Sequence, residues 1–62
     1  MKAREAMSLK VGDRVCWMLD DGATGRVTAA SSQFFRAVSI YWYDTHDTDT
    51  LHVDNCKHIE RE

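Results

Sequence analysis

Between Arg36 and Tyr43 the chain alternates in a way that leaves little freedom of fold. Val38, Ile40 and Trp42 fall on one face of an extended segment, and Ala37, Ser39, Tyr41 and Tyr43 fall on the other. A strand with one wholly apolar face and one amphipathic face needs a sheet whose neighbouring strands help to cover the apolar side. The rest of the chain supplies such neighbours. Val15, Trp17 and Leu19 alternate with Arg14, Cys16 and Met18 in a first strand that starts from Val11, and Val27 and Ala29 alternate with Arg26 and Thr28 in a second. Leu51 and Val53 flank His52 in a short fourth strand, and His58-Ile59-Glu60 can add a brief fifth. No stretch carries an apolar stripe at helical spacing long enough for a substantial helix, although Lys2 to Met7 can form one or two turns. There is no proline to demote any strand.

The connections carry turn chemistry. Asp20-Asp21-Gly22 and Gly25 reverse the chain after the first strand, Ser31-Ser32-Gln33 closes the second, Asp44 to Asp49 forms a polar loop, and Asp54-Asn55-Cys56 turns into the fifth strand. The chain has 62 residues, and one so short buries only about 60% of its extended surface, which supports one core and no second domain. Five short strands around one core point to an all-β small barrel, since closure removes edges that an open sheet offers for aggregation. Residues 1–8 are expected to be a flexible N-terminal segment, helical or disordered, and residues 9–62 the barrel.

The order Val11-Gly12-Asp13-Arg14-Val15, then Gly25-Arg26-Val27, then Val38-Ser39-Ile40-Tyr41-Trp42 with Asp44 after it, and a closing Leu51 to Ile59, resembles the SH3-like barrels of the Tudor and KOW type. The likeness covers about residues 9 to 61. It implies a five-stranded SH3-like barrel and a binding activity: modified side chains held in an aromatic cage for Tudor-like members, RNA or ribosomal and transcriptional partners for KOW-like ones. A second likeness is to the very small plasmid-type dihydrofolate reductase, whose barrel also opens with Gly-Asp-Arg-Val. The reductase's Val-Gln-Ile-Tyr segment falls near Thr50-Leu51-His52-Val53, so its substrate-contacting Gln and Tyr are absent here.

Three groups of residues are candidates for function. Trp17, Tyr41 and Tyr43, with Phe34 or Phe35 and a carboxylate such as Asp44, have the composition of a cage for a methylated ammonium. Both tryptophans share faces with aliphatic residues and are read as core, which leaves Tyr41 and Tyr43 as adhesive outer rings. Residues 37–56 hold Asp44, Asp47, Asp49 and Asp54 with no Lys or Arg, so this end is locally negative and suited to a basic partner. Arg14, Arg26 and Arg36 are the alternative, an arginine face that grips a nucleic-acid backbone.

Composition ranks these readings. Eight Lys and Arg against ten Asp and Glu give a net charge of -2, which lacks the basic excess of a dedicated nucleic-acid binder. The acidic loop has neither the spacing of a calcium loop nor a zinc-type His or Cys pair, so no metal or other cofactor is expected. His46, His52 and His58 are read as exposed polar positions. No triad order or phosphate loop is present, and a chain this small is not expected to be an enzyme. Cys16 and Cys56 are read as reduced, buried apolar residues. No apolar run is long enough for a signal peptide or a membrane span, and a cytoplasmic location with no membrane contact is expected. The reading that results is a non-enzymatic module that binds a protein partner, or its own copy, through Tyr41, Tyr43, Asp44, Asp47, Phe34 and Phe35.

Overall fold

The computed structural model describes residues 1–19 and 22–62. The fold is all-β: five antiparallel strands, β1 (Arg14–Trp17), β2 (Thr24–Ala29), β3 (Ala37–Trp42), β4 (Asp47–His52) and β5 (Ile59–Arg61), with one short helix, α1 (Ala3–Met7), at the N-terminal side. They form one sheet in the order β4-β3-β2-β1-β5. The first four strands are a meander, and a 3-10 turn at Val53–Asn55 precedes the return of β5 to the outer side of β1. Asp20 and Asp21, part of the first expected turn, lie outside the described residues.

One face of the sheet wraps the core. Val15, Val27, Val38, Ile40 and Ile59 are essentially inaccessible, and Val53 and Cys56 from the crossing segment close over them. At about 25 cal/mol per Å² of apolar surface, burial of these side chains is the main stabilising term for a domain with no disulfide. The alternation read for β3 is borne out: Val38, Ile40 and Trp42 are buried, and Ala37, Ser39, Tyr41 and Tyr43 are half-buried on the opposite face. Wrapping stops short of closure, because β4 and β5 do not pair with each other and remain the two edges of the sheet.

Four differences from the expected pattern have local causes. Gly12 sits at φ +95° and Lys10 donates its backbone N–H to Asp13, so a turn delays β1 until Arg14 and leaves Val11 66% exposed, while Leu9 enters the core in its place. Leu19 lies past the end of β1 and is exposed rather than sharing the core with Val15. A register shift between Val27 and Ala29 turns Ala29 outward opposite Ser39, which breaks the expected Val27/Ala29 face. Val53 leaves the strand for the 3-10 turn, where it is fully buried.

The 44–49 loop also needs correcting. The reversal is made by Tyr43–His46 alone, with His46 at φ +59° and its N–H donating to the Trp42 carbonyl, so Asp47 and Asp49 belong to β4. Residues 1–8 pack against the sheet: Met1 and Ala6 join the core, and the Met1 ammonium donates to the carbonyls of Cys56, Lys57 and Ile59.

Candidate functional site

Gly25 organises the site. It occupies the interior of β2, not a turn, between Val15 of β1 and Trp42 of β3. A Cβ there would stand 2.9 Å from Trp42 Cε3 and 2.5 Å from the Tyr41 carbonyl oxygen, so only glycine lets the Trp42 ring lie over β2. Trp42 is 7% exposed and its ring meets Trp17 nearly perpendicularly, at 81° with centroids 6.3 Å apart. His58 also packs edge to face on the half-buried Trp17 ring, at 5.8 Å and 69°. Edge-to-face pairs of this kind contribute about 0.5–1.5 kcal/mol beyond burial.

Beside this pair the fold opens a cleft of about 250 Å³. Its apolar walls are Trp17, Trp42, Ala23 and Leu51, and its rim is Asp44, Thr45 and Asp49. Register explains the carboxylate on an otherwise apolar face: Asp49 lies opposite Ile40 and Leu51 opposite Val38, so both point to the concave side. Asp44 comes from the turn, where its Oδ1 accepts the Thr45 N–H at 2.9 Å. Among the described residues, no cation lies within ion-pair distance of Asp44, Asp47 or Asp49. The cleft therefore combines two ring surfaces with unneutralised negative charge.

The outward face of the same strands is of opposite character. Arg26 lies over the Tyr41 ring at 5.5 Å, Arg14 over Tyr43 at 5.8 Å, and the two tyrosine rings meet edge to face at 5.8 Å. The Tyr41 hydroxyl bonds His46 Nδ1 at 2.9 Å, and Arg14 also reaches Glu62 at 3.2 Å. Ser39 and Thr50 share a hydroxyl bond at 2.9 Å on this side. The structure thus regroups the sequence candidates. Tyr41 and Tyr43 stand with Arg14 and Arg26, Asp44 stands with the two tryptophans, and Asp47 starts β4 opposite Trp42 without lining the cleft.

Arg36, Phe34 and Phe35 are elsewhere, in the β2–β3 connection at the far end of the sheet. Arg36 is therefore not part of the Arg14–Arg26 row. Trp17, read from the sequence as core, is only half-buried and forms one wall of the cleft, and the placing of Trp42, Asp49 and Leu51 beside it depends on the glycine and on the β4 register. Cys56 is wholly buried and its thiol pKa is pushed up by desolvation, partly offset by the nearby N-terminal charge, whereas Cys16 faces outward and is only half-buried. His58 is likewise half-buried rather than exposed, as its packing on Trp17 requires.

Among the described residues, no three His, Cys, Asp or Glu side chains are grouped closely enough to hold a metal ion, and no helix is long and apolar enough to cross a membrane. Compared with family models, with curated proteins and with solved structures, the chain matches none.

Proposed function

We propose that this domain is a non-enzymatic interaction module that binds a protein partner by taking one of its basic side chains, an alkylammonium or guanidinium, into the Trp17–Trp42 cleft. The observation that carries this reading is the perpendicular tryptophan pair beneath the Asp44 and Asp49 carboxylates, which have no cation of their own among the described residues. A cation over a ring gains about 0.5–2 kcal/mol, and the rim carboxylates add attraction that salt weakens. Against about 4 kcal/mol for a millimolar complex, one side chain alone binds weakly, so flanking contacts from the partner must supply the rest. We read the fold as an SH3-like barrel, a reading supported by the return of β5 to β1 after the 3-10 turn.

Tryptophan fluorescence tests the proposal. Short peptides carrying trimethyllysine, lysine or norleucine at one position should quench in that order, with the neutral side chain weaker than trimethyllysine by roughly fivefold or more. Asp44→Asn with Asp49→Asn should remove the preference for charge, and a folded Tyr41→Ser/Tyr43→Ser variant should keep it. Equal binding of norleucine and trimethyllysine would sink the reading.

The arginine and tyrosine row favours a second reading, attachment of single-stranded nucleic acid to the outward face. Arg14 and Arg26 are held over tyrosine rings, Arg14 with its Nε also paired to Glu62. Two neutralised phosphates give a slope of log affinity on log salt of about -1.4, the value to look for with a short oligothymidylate. A net charge of -2 and the Arg14–Glu62 pair keep this reading second.

A further inference from the structure

We infer that copies of this chain associate head to tail, with the Phe34-Phe35-Arg36 tip of one copy seated in the Trp17–Trp42 cleft of the next. The inference rests on the cleft reading above and names its partner as a second copy. The tip is built to protrude. Ser32 Oγ accepts the N–H groups of Phe34 at 3.2 Å and Phe35 at 3.0 Å, and the Ser32 N–H donates to the Phe35 carbonyl at 2.9 Å. This closed turn leaves Phe34 90% and Phe35 59% exposed, so two large rings stand in water with their backbone already ordered, and little entropy remains to be lost on docking.

Arg36 completes the match. It is exposed, and among the described residues no carboxylate lies within ion-pair distance of it, whereas Arg14 and Arg26 are engaged over tyrosines. Other exposed cations, such as Lys10 and Lys57, lack a neighbouring pair of exposed rings in sequence. The cleft presents the complement: apolar ring surface with the Asp44 and Asp49 carboxylates at its rim.

Topology decides how the two halves can meet. In the antiparallel meander, Trp17 and Trp42 end β1 and β3 at one end of the sheet, and the β2–β3 connection lies at the other. Six residues of β3, about 20 Å of strand, separate Arg36 from the cleft end at Trp42, so a copy cannot fill its own cleft. Each copy therefore offers one free tip and one free cleft, a heterologous contact that adds copies until a ring closes or growth is limited by affinity. A contact of a few side chains is weak, so assembly belongs at concentrations of about 10 µM to 1 mM.

Sedimentation velocity across that range is the test, with a wild-type mass that rises steadily past the dimer. A tip variant, Phe34→Ser/Phe35→Ser/Arg36→Ser, and a rim variant, Asp44→Asn/Asp49→Asn, should each be folded by circular dichroism and monomeric. Mixed in equal amounts they should form dimers and nothing larger, because only one productive contact survives. The trimethyllysine peptide should dissolve wild-type assemblies. A wild-type protein that stays monomeric at 1 mM, one that stops at an isologous dimer, an undiminished tip variant, or a mixture without dimers would each overturn the inference. If the chain stays monomeric yet the peptide quenches tryptophan fluorescence, head-to-tail docking fails and the cleft reading stands.

Discussion

The two edge strands of this sheet both turn charge toward the concave face, and they treat it in opposite ways. On β5, Arg61 lies opposite Val15 and donates to Asp13 at 2.9 Å and to Ser8 Oγ at 2.7 Å. On β4, Asp49 lies opposite Ile40 and Asp47 opposite Trp42, and neither has a cation among the described residues. Inward charge on an edge discourages pairing with foreign strands, so both edges gain that protection. Only β5 carries its own counter-charge, and it uses the bond to tie the segment between α1 and β1 to the sheet. The β4 carboxylates do nothing comparable for the fold. On the proposed reading a cation from a partner would answer Asp49, which borders the tryptophan pair.

This contrast depends first on the β3–β4 register. Ile40 is fully buried, and Ile40→Ala should cost about 2–5 kcal/mol, which is most of what so small a domain has, so urea and thermal unfolding should find it largely unfolded. Ser39→Ala removes the outward bond to Thr50 and should cost below about 1 kcal/mol. If the two variants unfolded alike, the faces would be reversed, Asp49 would point to solvent, and the difference between the edges would vanish.

The parts of this arrangement differ in how legible they are in sequence. The β3 alternation is, because Val38, Ile40 and Trp42 are all apolar and one strand suffices to show a period of two. The β4 strand is not, because its inward row is Asp47, Asp49 and Leu51 and its outward row is Thr48 and Thr50, the reverse of the usual polarity at the loop end. Read without a partner, that segment is a polar loop. Gly25 misleads for a related reason: glycine signals a turn locally, and only the Trp42 ring lying over it shows why a strand interior needs one. The pairing of Arg26 with Tyr41 follows from a cross-strand register that no single segment contains.

A smaller effect should separate folding from binding at the β4 edge. Asp49→Leu places an aliphatic group against Leu51 and the tryptophans in place of a carboxylate without a cation partner, and should raise stability by about 0.5–1 kcal/mol. The same change should weaken trimethyllysine peptide binding at least fivefold. A loss of stability from this substitution would mean that Asp49 serves the fold as Arg61 does, and the two edges would then be alike.

The smallest expected effect lies at the β5 edge and depends on pH. The Lys10 backbone N–H, at 2.8 Å, and then the Arg61 guanidinium hold the Asp13 carboxyl below its ordinary value of 3.8. A carboxyl whose folded pKa is depressed stabilises the fold at pH above the unfolded value, and that contribution disappears as pH falls through 3.8 toward the lower folded value. Asp13→Asn keeps an acceptor for the Lys10 N–H but loses the charge, so the variant should melt slightly below wild type at pH 7. The gap should narrow as pH drops below 3.8, and it should also shrink in high salt, because the pair faces solvent. Melting curves of both proteins at pH 7 and near pH 2.5, each with and without salt, make the comparison. A gap that persisted unchanged at low pH would show that Asp13 acts through its shape alone, and the β5 edge would no longer be the one with a working counter-charge.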